Sequence, residues 1–153
     1  MVRSTWWVFV VAAFAGLSMP TAWAQPGPIR EAVKIAVRPG SIDVDRHVII
    51  FPRGRPGTIT WELETNGDFE FDPDGNGRGV VVYELNGPTD RPNKADEGKA
   101  KRQFDCKVVA GSNRLRFECA NLNTEPGRYW YDIRLKHRRD GSKRSIDPII
   151  VNL

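Results

Sequence analysis

Three groups of side chains in this 153-residue chain have residue types and spacings that could do chemistry. In the first, Asp72-Pro-Asp74-Gly-Asn76-Gly77, side-chain oxygens fall at alternate positions and glycine turns the backbone, as in calcium loops. The position where a bidentate glutamate closes an EF-hand is Tyr83, and Glu84 falls one residue too late, so an EF-hand is rejected. The segment reads as an Asx/Gly-rich turn between strands, with a non-helical Ca²⁺ loop on Asp72, Asp74 and Asn76 as the alternative. No other cofactor is expected.

In the second group Asp43, Asp45 and His47 alternate, so a continuous strand would project two carboxylates and an imidazole from one face. Side chains on one strand point parallel, and a closed metal site needs a convergent ligand from elsewhere. A solvated polar face is the simpler reading, and a small periplasmic metal-dependent protein or enzyme using these three is the alternative.

The third group is basic. Lys136, His137, Arg138, Arg139, Lys143 and Arg144 surround Asp140-Gly141, a dipeptide that favours a two-residue hairpin turn. Centring a hairpin there opposes Leu135 to Ile146, Ile133 to Pro148 and Tyr131 to Ile150, and sets Arg138 against Lys143 and His137 against Arg144. Like charges held opposite one another are mildly destabilising, a cost that an anionic partner relieves. Lys136, Arg138, Arg139, Lys143 and Arg144 are thus the candidate anion-binding residues. Only Trp130 lies close enough to stack on a base, so nucleic acid is not the expected partner. An anionic envelope component or a protein is.

Catalytic motifs are lacking. His47 and His137 are the only histidines, and neither lies near a Gly-x-Ser-x-Gly elbow; there is no P-loop and no dinucleotide fingerprint. The expected protein is a non-enzymatic binding or interaction module.

The elements that must position these groups read as strands. Val33, Ile35 and Val37 alternate up to Pro39-Gly40; Ile42 and Val44 lead into Val48-Ile49-Ile50-Phe51, which Pro52 ends. Ile59, Trp61 and Leu63 alternate with Thr and Glu. Phe69-Glu70-Phe71, Val80 to Tyr83, Tyr129 to Lys136 and Ile146 to Val151 complete the set. Pro148 cannot donate a ladder hydrogen bond, which predicts an edge or a bulge there. Residues 88–102 are nearly devoid of apolar side chains and read as a long solvated, flexible loop.

Cys106 and Cys119 fit a hairpin centred between Ser112 and Asn113. One register opposes the cysteines, sets Val108 against Phe117 on the same face, and pairs Lys107 with Glu118 on the other. The pair is therefore read as a structural disulfide, with neither a Cys-x-x-Cys nor a nearby His to suggest redox or metal chemistry.

Arg3, the apolar run Trp6 to Leu17, Pro20 and Ala22-Trp23-Ala24 have the order of a secretory signal, giving residues 1–24 as signal and residues 25–153 as one domain. No cysteine follows the cleavage site, and no later run is long enough for a transmembrane anchor. The product is expected in the periplasm or secreted. The formal net charge of +4 falls by one when Arg3 leaves, too mild an excess to define a partner unless it is clustered.

No helical period stands out in residues 25–153, and many short alternating runs between Gly, Pro and Asn predict an all-β, antiparallel sandwich. Gly127-Arg128-Tyr129-Trp130-Tyr131-Asp132-Ile133 resembles the Gly-x-Tyr-x-Tyr-x-Ile strand of secreted Ig-like and cupredoxin-like sandwiches, and Ile59 to Leu63 resembles another of their strands. The resemblance implies a fold and no activity. Trp61 precedes both cysteines, unlike the Ig pattern. The only methionines, Met1 and Met19, lie in the signal, so a blue-copper ligand set is missing.

Overall fold

The computed structural model describes residues 27–65, 67–73, 79–85 and 100–153; the expected signal at residues 1–24, Asp74, Asn76 and most of the expected loop at residues 88–102 lie outside the described residues. The chain is all-β. Its strands are β1 (Ile29–Arg38), β2 (Ser41–Val44), β3 (Val48–Phe51), β4 (Gly57–Glu64), β5 (Phe69–Phe71), β6 (Val80–Leu85), β7 (Phe104–Val108), β8 (Arg116–Asn121), β9 (Gly127–His137), β10 (Lys143–Ile146) and β11 (Ile149–Asn152).

Two sheets pack face to face. The first runs β2-β1-β4-β8-β7; the second runs β10-β9-β11-β3, with β5 and β6 also pairing on β9. Both are mixed rather than antiparallel, which corrects the sequence expectation. β1 pairs β4 in parallel from Ile29↔Gly57 to Ala36↔Glu64, and β3 pairs β11 in parallel from Val48↔Ile149 to Phe51↔Asn152. Parallel neighbours need a crossover. Here β2 and β3 supply it: β2 turns back beside β1, β3 crosses to the second sheet, and β4 returns to the free side of β1. Alternation dictates which face a residue takes, but says nothing about which strand lies next to it.

The core is the alternate residues of both sheets. Trp61 meets Tyr131 at 5.2 Å between ring centroids, Phe71 meets Phe117 at 5.5 Å, and Phe104 meets Tyr129 at 4.9 Å, so three aromatic pairs tie one sheet to the other. Val33, Ile35, Ile59, Ile133, Leu135 and Ile150 fill the space between them, all fully buried. Gly57 opens β4 where a Cβ would stand 2.5 Å from both the Ile29 carbonyl oxygen and the Phe51 ring, so only glycine fits this meeting of the sheets.

The cysteine hairpin has the register read from the sequence: Cys106↔Cys119, Lys107↔Glu118, Val108↔Phe117. The two sulfurs are bonded, with 4.0 Å between Cα atoms. Ala100, at the end of the predicted solvated loop, is buried, and its carbonyl accepts the Gln103 N–H at 2.9 Å, so that end of the segment packs on the core.

The second hairpin departs from its predicted register by two residues. Lys143 lies opposite Lys136, Arg144 opposite Leu135, and Ile146 opposite Ile133. A two-residue turn of that type needs positive φ at both central residues, and here only Gly141 has it, at 71°. Asp140 caps a longer loop instead, its carboxylate accepting the Ser142 N–H at 2.8 Å and contacting His137 Nδ1 at 2.9 Å. A two-residue slip leaves every side chain on its predicted face. At Pro148 the ladder keeps its register but loses a donor: Tyr131 N–H donates to the Pro148 carbonyl and nothing returns, which divides β10 from β11.

Candidate functional site

The three sequence-predicted groups separate in space. Asp43 lies on β2, accepting the Val44 N–H at 3.0 Å and standing 4.0 Å from Arg38. Asp45 lies beyond the end of β2 and accepts the Lys34 N–H at 2.9 Å. His47 is exposed at the foot of β3, in the other sheet, where its carbonyl accepts the Ile149 N–H. The continuous strand that would align the three does not exist, because the chain changes sheets after Val44. Among the described residues, no three of His, Cys, Asp and Glu are grouped to hold a metal ion.

Asp72 is buried, with its carboxylate 2.9 Å from Lys143 Nζ and its N–H donating to the Arg134 carbonyl. Of the calcium-loop candidates it is the one within the described residues, and it serves the basic hairpin.

At that hairpin, Asp68, Glu70 and Asp72 alternate through β5, which runs antiparallel beside β9. They face the cations in turn: Arg139 at 3.8 Å from Asp68, Arg138 at 3.4 Å from Glu70, and Lys143 at 2.9 Å from Asp72. The Arg144 guanidinium lies 5.0 Å from the centre of the Phe69 ring and donates to the Arg38 carbonyl at 2.8 Å. Hydrogen bonds from the Ser142 backbone and side chain, with a smaller contribution from His137, hold Asp140 down to about 2. The like-charge opposition of Lys136 and Lys143 is therefore set among carboxylates of the same molecule. Arg139 remains 83 % exposed.

The feature that sequence reading missed lies on the outer face of the second sheet. Its registers align side chains into rows across the strands. Two rows are apolar: Tyr83–Trp130–Ile149–Val48, then Leu85–Arg128–Val151–Ile50, with Arg128 the one charge among them. Toward the hairpin the same face turns polar, with Asp132, Arg134, Lys136 and Glu70. There Arg134 bridges the Asp132 carboxylate and the Tyr83 hydroxyl. Partial desolvation and the neighbouring Asp132 carboxylate push Asp147 up from the usual range. The apolar rows end in the open: Val48 is 50 % exposed and Ile50 55 %.

The first sheet's outer face is different in kind. Lys34 pairs with Glu64 at 3.1 Å, Arg116 with Glu62 at 3.0 Å, and Lys107 lies opposite Glu118. That is an ordinary solvated sheet surface. A signal for the contrast was present in the sequence: Val48-Ile49-Ile50-Phe51 and Ile149-Ile150-Val151 are apolar at every position, whereas β4 and β8 alternate with charges. Without the register, such runs look like strands buried on both faces. No known family model matches the chain, and no curated protein is similar to it.

Proposed function

We propose that this chain is an exported β-sandwich of Ig-like type, acting as a non-enzymatic interaction module whose contact surface is the apolar half of the second sheet's outer face. The observation that carries the reading is the pair of apolar rows that run from the buried Tyr83 side out to Val48 and Ile50, which are 50 % and 55 % exposed. Apolar side chains gathered on a sheet surface are the usual mark of a binding surface, whereas scattered ones are not. The disulfide fits an oxidising compartment and supports export, as does the order of residues before Gln25. The partner is anionic. Arg53 and Arg128 beside the apolar rows have no carboxylate partner among the described residues.

Site-specific photo-crosslinking tests the reading. A photoreactive residue at Val48 or Trp130 is expected to capture a protein in the cell envelope. One at Thr60 or Glu118, on the first sheet, is expected to capture none. Capture at both faces alike, or at neither, overturns the assignment. N-terminal sequencing of the exported product is expected to begin at Gln25.

A further inference from the structure

Rows of apolar side chains locate a surface; the backbone beside them says what shape of partner it takes. β3 closes one end of the second sheet, and in its parallel ladder with β11 the carbonyls of His47 and Phe51 accept the N–H groups of Ile149 and Leu153. Bonding alternates along a strand, so the N–H and C=O groups of Val48 and Ile50 point away from β11, into the open edge.

Other edges differ: β6, which pairs only with β9, is buried from Val80 to Tyr83, and two more carry charge in the way natural sheets use. β7 carries Asp105 and Lys107, and β10 carries Lys143, Arg144 and Ser145. Arg144 reaches over to the carbonyls at the turn into β2. β3 has no charge, no proline and no bulge between Val48 and Phe51, and its outward side chains are half exposed. Its C-terminal end is positive. No acidic residue occurs from Arg46 to Thr60, while Arg46, Arg53 and Arg55 do. Arg46 is paired with Glu31 and Arg55 donates to the Gly27 carbonyl; Arg53 is exposed and has no ion-pair partner among the described residues.

We infer that the open edge of β3 accepts a strand: an extended segment of a protein partner, apolar at alternate positions and acidic at the end that lies beside Arg53. This rests on the proposed interaction face and adds its mode, main-chain pairing on an edge with side chains extending the apolar rows. Charge decides against a second copy of the chain. Antiparallel pairing of β3 with itself would bring Arg46 of one copy near Arg53 of the other, like charge against like.

The probe is a fluorescein-labelled synthetic peptide of alternating valine and threonine ending in three glutamates, with a companion in which lysines replace the glutamates. Fluorescence anisotropy is expected to show binding of the acidic peptide to the purified protein, and binding about tenfold weaker or absent for the lysine companion. Ile50→Pro removes an outward N–H and leaves the ladder with β11 and the melting temperature in place, while peptide binding falls at least about tenfold; Ile50→Thr, which keeps the N–H but loses the apolar side chain, is expected to bind nearly as well as the wild type. Arg53→Glu is expected to weaken the acidic peptide by about tenfold and to abolish its salt dependence. Failure of the wild-type protein to bind the acidic peptide, or equal binding by Ile50→Pro, overturns the strand-acceptor inference. A dimer by sedimentation that Ile50→Pro dissolves also overturns it, in favour of self-pairing. Partner capture from Trp130 that survives Ile50→Pro would retain the apolar face as the contact surface and reject the edge as its mode.

Discussion

Asn121 on the first sheet and Asn152 on the second exchange side-chain hydrogen bonds, 2.8 Å from Asn121 Nδ2 to Asn152 Oδ1 and 3.3 Å in return. Both are buried, and Asn121 Oδ1 also accepts the Asn123 N–H at 3.0 Å. Asn123, at φ 47°, in turn donates to the carbonyls of Pro52 and Arg55. A chain of amides thus joins the end of β8 to β11 and to the β3–β4 turn. Paired amides cost little to bury, and an orphaned one costs about 1–3 kcal/mol. Asn152→Ala is expected to destabilise by that amount, and Asn121→Ala by more because the Asn123 N–H loses its acceptor too. The double variant is expected to cost less than the two single changes combined, which urea unfolding of the four proteins measures.

These amides show where sequence reading stops. Asn121 and Asn152 lie thirty-one residues apart and carry no periodic signal of their own; only the folded sheets bring them together. The cysteine hairpin was legible because three independent constraints, sulfur, charge and apolar face, agreed on one register over a short loop. The parallel pairings were not, since alternation fixes a face and leaves the neighbour open. The apolar rows were hidden for the same reason: β3 and β6 are far in sequence from β9 and β11, and the outward residues of the four strands form a surface only after pairing. The basic tip was visible as a cluster, but its carboxylates at Asp68, Glu70 and Asp72 are far off in sequence and appear beside it only through β5.

The Cys106–Cys119 bond closes a loop with a sequence separation of 13 and, on the chain-entropy account, contributes on the order of 2–3 kcal/mol. The double Cys106→Ala, Cys119→Ala variant is expected to fold and to unfold at lower urea by that amount. Alkylation of the denatured, unreduced protein is expected to label no thiol, and two labels in mass spectrometry would refute the bond.

Burial pushes the phenols of Tyr129 and Tyr131 up to about 12, with the Glu84 and Glu125 carboxylates adding to the effect at Tyr129 and Asp45 at Tyr131. Both rings face the core. The raised values mean that the folded state holds these protons more tightly than the unfolded chain, whose tyrosines titrate near 10. Their contribution is complete below pH 10 and is lost as pH rises from there through about 12. Stability is expected to fall across that window and to be flat with respect to these groups below it. Tyr131→Phe is expected to flatten the alkaline limb, read by denaturant midpoints at successive pH values.

Asp72 already has a cation in place. With Lys143 Nζ 2.9 Å from its carboxylate, a divalent ion gains there only by displacing an ammonium group. Millimolar Ca²⁺ is expected to leave the wild-type melting temperature unchanged, whereas a ligand selective for the folded state would raise it. A rise that Asp74→Ala removes would establish the calcium loop instead.

The basic hairpin divides into cations that hold the fold and one that faces water. Lys143 stands against the buried Asp72 carboxylate, and Arg144 covers Phe69 while binding the Arg38 carbonyl. Removing either leaves a group that folding has desolvated with a poorer partner, and a cost of about 1–2 kcal/mol is expected for Lys143→Gln or Arg144→Gln. Arg139 meets Asp68 at 3.8 Å with both side chains largely in solvent, a pair of the kind that contributes a few tenths of a kcal/mol. Arg139→Gln is therefore expected to leave stability unchanged within error. Replacing Arg138, Arg139, Lys143 and Arg144 together then tests structure and binding at once. If the tip contacts an anionic envelope component, the quadruple variant loses salt-sensitive binding to lipopolysaccharide or acidic glycan as well as stability. If Asp68, Glu70 and Asp72 already satisfy these cations, stability falls and the wild-type protein shows no such binding at low salt, the outcome expected from their spacing along β5.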